Sequence, residues 1–152
     1  MKIGFTKFQK IMEAICAILV LSIILYTAIK WPSIPNKIPT YFNFRGEIEA
    51  YGSKNTIFFS LAMTIILYLF LTVVNFFPRI WNVTSCKKDP NRAYKLCRDM
   101  LINIKAVIVV NFSYITYCSI NMTSMFIVPT LLFSILAIGM AIGYTVYILI
   151  KC

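Results

Sequence analysis

AVIVVNFSYITYCSINMTSMFIVPTLLFSILAIGMAIGYTVYILI, residues 106–150, runs for 45 positions without a charged side chain. As one helix it would extend about 68 Å at 1.5 Å per residue, more than twice a hydrocarbon core of about 30 Å. It must fold back. Asn121-Met122-Thr123-Ser124 is the polar break, with Pro129 in the first turns of the helix beyond it. The break gives one predicted span ending near residue 122 and another over 126–150. Upstream, residues 11–29 hold Glu13 as their sole charge, and nothing from Asn55 through Pro78 is charged, which places two more spans at 11–29 and 57–77. The predicted fold class is therefore all-α: a four-helix transmembrane bundle forming a single membrane domain over residues 1–152.

Composition agrees. Hydrophobic residues make up 60% of the chain and charged residues 13%, against about a quarter charged in an ordinary soluble domain. Mean hydropathy is +0.80. The net charge of +10 does not describe a nucleic-acid face, because the bases gather at the ends of apolar runs, where positive residues meet the cytoplasm and anionic lipid. With the N-terminus inside, the inner segments hold eleven Lys and Arg, and the outer ones hold Lys30, Lys37, Arg45 and Lys54. That asymmetry predicts an N-in/C-in topology. Lys2, Lys7 and Lys10 ahead of the first span resemble the start of a signal peptide. The apolar run is too long for one, however, and no small-residue cleavage site precedes Trp31, so a retained helix is expected. Glu13, one turn inside and next to Lys10, is expected to reach the interface by snorkelling.

Between the first two spans lies WPSIPNKIPTYFNFRGEIEAYGSK, residues 31–54. Prolines at 32, 35 and 39 remove amide donors at spacings that exclude a regular helix,. Trp31, Tyr41, Phe42, Phe44 and Tyr51 give it apolar bulk. The expectation is an ordered extracytoplasmic loop with its own packing. On the inner side, Asp89-Pro90 suits an N-cap followed by proline at the first helical position. Ala93, Leu96, Cys97, Met100, Leu101 and Ile104 then recur at helical steps,. This amphipathic segment is expected to run straight into the third span, giving a helix over 90–122. Its other side carries Arg92, Lys95, Asp99 and Lys105. Arg92, Lys95 and Lys105 form a candidate face for a cytosolic protein partner, set against a plain basic collar on anionic headgroups.

Within the spans, an unpaired amide in hydrocarbon is costly, so Asn111 is expected to face another helix. Gly139 and Gly143 form a small-xxx-small stripe for close helix contact, with packing inside the bundle favoured over contact between copies. The catalytic inventory is thin. Histidine is absent, which removes the commonest general base and metal ligand,. Cys86 and Cys97, eleven apart, make a poor zinc signature. Glu47 and Glu49 have cationic neighbours and read as solvated or ion-paired. Phosphate-loop, G-x-S-x-G and H-E-x-x-H motifs are missing. The sequons Asn82-Val83-Thr84 and Asn121-Met122-Thr123 fall on the cytoplasmic side and too near the membrane, respectively. No catalytic residue, metal ligand or cofactor is expected.

One pattern in the loop is specific. Trp31, then Ile34-Pro35, Ile38-Pro39-Thr40-Tyr41-Phe42-Asn43, Gly46-Glu47, Glu49 and Tyr51-Gly52-Ser53-Lys54 resembles the signature of small bacterial multipass membrane proteins typified by the N-terminal part of the SdpI immunity protein. The resemblance covers about residues 11–77, with weaker support over 91–104. Two positions depart from it: Tyr41 stands where the family has histidine, and Glu49 where it has aspartate, so metal or proton chemistry by that pair is in question here. The resemblance implies a multipass protein of the bacterial plasma membrane and, more distantly, immunity to a secreted peptide toxin or signalling. The expected function is non-enzymatic: immunity to, or sensing of, a membrane-active peptide toxin outside, with a protein partner inside. The alternative is an accessory subunit of a transporter or other membrane complex, as an oligomer or hetero-complex. Nucleic acid is not an expected partner; the lipid bilayer is.

Overall fold

The computed structural model describes residues 4–77, 81 and 90–151. The predicted cap at Asp89, the sequon at Asn82 and Cys86 lie outside them.

Four α-helices run through the described residues: α1 (Lys7–Lys30), α2 (Thr56–Phe76), α3 (Pro90–Asn121) and α4 (Ile127–Lys151). All four are long and apolar enough to cross a membrane, making this a multipass membrane protein. α1 begins at Lys7 because Thr6 and Gln9 close a capping box. The Gln9 amide donates to Thr6 Oγ1 at 3.2 Å, and the Thr6 amide donates to Gln9 Oε1 at 3.0 Å, satisfying two otherwise orphaned donors. Pro32 lies in the short 3-10 turn Trp31–Ser33 and offers no amide to continue the α-helical ladder. α3 ends on the polar break. Met122 takes φ 54°, and the Thr123 amide reaches back to the Cys118 carbonyl at 3.1 Å, the six-to-one bond of a Schellman cap with methionine in place of glycine.

The fold is not purely helical. Residues 31–54 contain two antiparallel strands, β1 (Lys37–Phe42) and β2 (Ile48–Ser53). Proline is tolerated because the sheet has only these two strands, so Pro39 sits on an edge where no further ladder bond is needed. Ile34 and Ile38 point down from this hairpin into a cluster with Ile23 of α1, Ile57 and Leu61 of α2, and Ile120 of α3. The hairpin is thus seated on the ends of three helices.

α3 is the hub: it touches α1, α2, α4 and β1, whereas α1 and α2 barely meet. α4 adheres to α3, and the apolar stretch Thr130–Tyr147 has no buried residue. One expectation fails here. A side-chain carbon built on Gly139 or Gly143 meets nothing within 4 Å, so the glycine stripe does not pack inside the bundle. Asn111 Nδ2 is satisfied within its own helix, donating to the Val107 carbonyl one turn back at 3.0 Å.

Candidate functional site

Most of the loop motif proves to be the machinery of the hairpin. Asn43 makes the turn. Its Oδ1 accepts from the Arg45 and Glu47 amides at 2.8 and 3.0 Å, its Nδ2 donates to Glu47 Oε2 at 3.0 Å, and its carbonyl accepts from Gly46 at 2.9 Å. Gly46 sits at φ 81°, a region costly for residues with a Cβ. Gly52 faces Thr40, and a Cβ there would lie 2.7 Å from Thr40 Cγ2. Ser53 Oγ accepts from Asn55 N at 3.3 Å, and the Lys54 amide donates to the Asn36 carbonyl at 3.0 Å, closing the base of the hairpin. Trp31 stacks on Phe58 with ring centroids 4.7 Å apart, and Lys54 Nζ lies 4.9 Å from the Trp31 ring. Pro39 is buried and Pro35 exposed.

Three motif side chains, Tyr41, Glu49 and Tyr51, have no such role, nor has Phe44, which lies in the turn outside the motif. Tyr41 is 69% exposed, Phe44 98% and Tyr51 56%, and Glu49 is also exposed. Glu49 falls at a register shift: Tyr41 pairs with Ala50 and Phe42 with Ile48, leaving Glu49 without a partner across the ladder. Bulges of this kind re-aim a side chain. Glu49 lines a groove of about 370 Å³ with Phe42, Phe44, Met125, Leu131 and Ser134. The groove's far wall is the start of α4. A hydrogen bond of 2.8 Å from the Met125 amide to the Gly46 carbonyl fixes the two walls together.

The second constellation was missed in the sequence. Glu13 does not snorkel with Lys10; it is ion-paired with Lys105. Lys105 is fully buried, so it is not part of an exposed partner face. Its ammonium has three donors, and its surroundings answer them: the Glu13 carboxylate, Thr72 Oγ1 at 3.0 Å, and the Tyr68 ring at 5.0 Å to its centroid. Thr72 in turn donates to the Tyr68 carbonyl at 2.6 Å. Asn75, also fully buried, donates from Nδ2 to Glu13 Oε1 at 3.3 Å, while its Oδ1 has no partner among the described residues. Two turns of polar contact result, since Gln9 one turn earlier donates to Asp99 Oδ1 at 2.7 Å. Glu13 is 17 residues before Lys30, about 26 Å along the helix, which puts the pair near the far edge of an apolar layer about 30 Å thick. It ties α1, α2 and α3 at one point. The signal that would have found it is a lone acid in one apolar span and a base at the very edge of another, because a charge in an apolar span needs a partner.

Of the proposed partner face, Arg92 and Lys95 are exposed. Arg92 Nη2 donates to the Tyr147 hydroxyl of α4 at 2.6 Å. Arg98 turns inward, its guanidinium 4.2 Å from the Phe5 ring centroid and Nη1 donating to the Gly4 carbonyl at 3.3 Å. Among the described residues no group of three His, Cys, Asp or Glu is placed to hold a metal ion.

Residues 17–66 match a family described as a domain of unknown function (DUF1648). The matched segment comprises most of α1, the whole hairpin and the first half of α2, so the likeness is centred on the cap. No curated protein matches the chain. No solved structure matches it either.

Proposed function

We propose that this is a non-enzymatic, multipass protein of the bacterial plasma membrane, with both termini in the cytosol, whose hairpin receives a membrane-active peptide in the extracytoplasmic interface. The observation that carries the reading is the division within the loop 31–54. Once the turn, the strand pairing and the seat on the helices are accounted for, Tyr41, Phe44, Glu49 and Tyr51 remain exposed. Exposed aromatics are costly in water without a ligand or membrane interface to cover them, and Tyr in particular recurs at recognition surfaces. The likeness of residues 31–54 to the SdpI-type loop supports the same assignment. Tyr41 and Glu49 in place of histidine and aspartate favour contact over metal or proton chemistry.

The test is expression in cells sensitive to membrane-active peptides, comparing survival with the wild-type chain and with Phe44→Ala and Glu49→Gln. Protection that the variants lose supports the reading; unchanged killing by every peptide tried, with the protein correctly inserted, overturns it. Cysteine labelling at positions 36 and 50 checks topology, and reaction from the cytosolic side alone removes the proposal. A second reading, an accessory subunit of a transporter or other membrane complex, is favoured by one observation: α4 presents Gly139 and Gly143 to open space. Purified protein that runs as a lone monomer with nothing bound counts against it.

A further inference from the structure

We propose that the groove between α3 and α4, at the basic end of the bundle, binds an anionic phospholipid, with the headgroup phosphate at Arg92 and Tyr147 and an acyl chain along the groove floor. The cleft has a volume of about 370 Å³ and is lined by Leu96, Met140, Gly143, Tyr144 and Tyr147. From Met140 to Tyr147 it follows α4 for about 10 Å. Its wall is apolar apart from the two tyrosine hydroxyls, each of which is held from α3. Arg92 Nη2 donates to Tyr147 Oη at 2.6 Å, and Asn103 Nδ2 lies 3.5 Å from Tyr144 Oη. The Arg92 guanidinium also stands 5.7 Å from the Tyr147 ring centroid.

Charge selects the occupant. The mouth carries Arg92, with Lys95 exposed one turn along the same helix. Guanidinium offers a planar fork of donors that matches phosphate oxygens, and basic side chains at a membrane surface attract anionic headgroups. A second copy of the chain is the competing occupant, through the bare glycines. It is disfavoured because a symmetric contact across this groove would bring two sets of Arg92 and Lys95 together. Gly143 supplies the width: it lines the cleft, and even a Cβ there would meet nothing within 4 Å.

Native mass spectrometry of the full chain in detergent, titrated with dioleoylphosphatidylglycerol or dioleoylphosphatidylcholine, tests this. The phosphatidylglycerol adduct is expected to persist and the phosphatidylcholine adduct to be lost at low activation. Gly143→Leu places its Cβ in open space and the rest of its side chain in the cleft, and should abolish the preference. Arg92→Gln should weaken it about fivefold, the factor corresponding to one basic residue near an anionic surface. Gly139→Leu, one turn away with equally open surroundings but outside the cleft, should leave it intact. Equal retention of the two lipids overturns the proposal, as does an equal effect of the two glycine variants. So does a dimer that Gly143→Leu dissolves, which would assign the cleft to a second copy.

Discussion

Asn43 and Glu47, which shape the hairpin turn, are four residues apart; Glu13 and Lys105, which clamp the helices, are separated by 92. The two regions show two ways of holding a membrane bundle. The cap is made by backbone geometry and short-range hydrogen bonds, in a segment where water is available to any group left over. The clamp is made by two charges in an apolar setting where none is. In the cap, losing one contact costs about what a single hydrogen bond or a modest steric clash is worth. In the clamp, losing one partner strands the other.

The largest expected effect is therefore at the clamp. Lys105→Met leaves the Glu13 carboxylate, whose side chain is 20% exposed, beside Asn75 with no cation. Breaking a buried pair from one side costs about 3–5 kcal/mol. Unfolding in detergent, driven by heat or denaturant, should show a loss of that order. Glu13→Gln added to Lys105→Met should recover much of it, because the amide removes the stranded charge and can still meet Asn75. A Lys105→Met single variant as stable as wild type would show that the clamp does not hold the helices, and the contrast between the two regions would collapse.

Next in size is Gly52→Ala. The added Cβ falls 2.7 Å from Thr40 Cγ2, and overpacking of this kind costs about 1–3 kcal/mol. Thr40→Ala in the same chain removes the clashing methyl at the expense of one long bond, Thr40 Oγ1 to the Ala50 carbonyl at 3.3 Å, and should restore stability. An unrescued loss would mean that the strand itself, not the clash, is what Gly52 serves. Gly46→Ala should cost less, about 1 kcal/mol, the penalty of a Cβ in the left-handed region at φ 81°. Faster amide exchange confined to residues 43–47 is the matching readout. Exchange that spreads into α1 or α2 would show the cap and the bundle to be one cooperative unit.

The same contrast explains how much of the fold and site was legible in the sequence. Four helices could be read because an uncharged run longer than a bilayer is thick must turn, and because charges and prolines end the runs. The hairpin was legible only as a non-helical, packed loop. β2 alternates between half-buried and exposed positions for only six residues, and β1 has two buried residues in a row, with register shifts between Pro39 and Tyr41 and between Tyr41 and Phe42, so little period-two signal accumulates. The bare face at Gly139 and Gly143 was misread because a small-residue stripe says that something approaches closely, not whether it belongs to the same chain. A basic face for Lys105 fails because helical periodicity reports direction around one helix; it cannot report that Glu13, Thr72 and Asn75 wait on two others.

The smallest expected effect sharpens the comparison most. Phe44→Ala and Glu49→Gln touch side chains that the fold leaves exposed, with Glu49 standing outside the strand register. Substitutions away from structural contacts usually change stability by no more than about 0.5 kcal/mol, and both variants should melt with the wild type. Their effect should appear instead in protection against peptide, where an exposed aromatic acts as an anchor. The loop would then divide cleanly, with Asn43, Gly46 and Gly52 building a platform and Tyr41, Phe44, Glu49 and Tyr51 using it. If Phe44→Ala instead lowers the melting temperature as far as Gly46→Ala does, Phe44 is closing the groove against α4. The exposed aromatics would then belong to the fold, and the reason for placing a ligand on the cap would be gone.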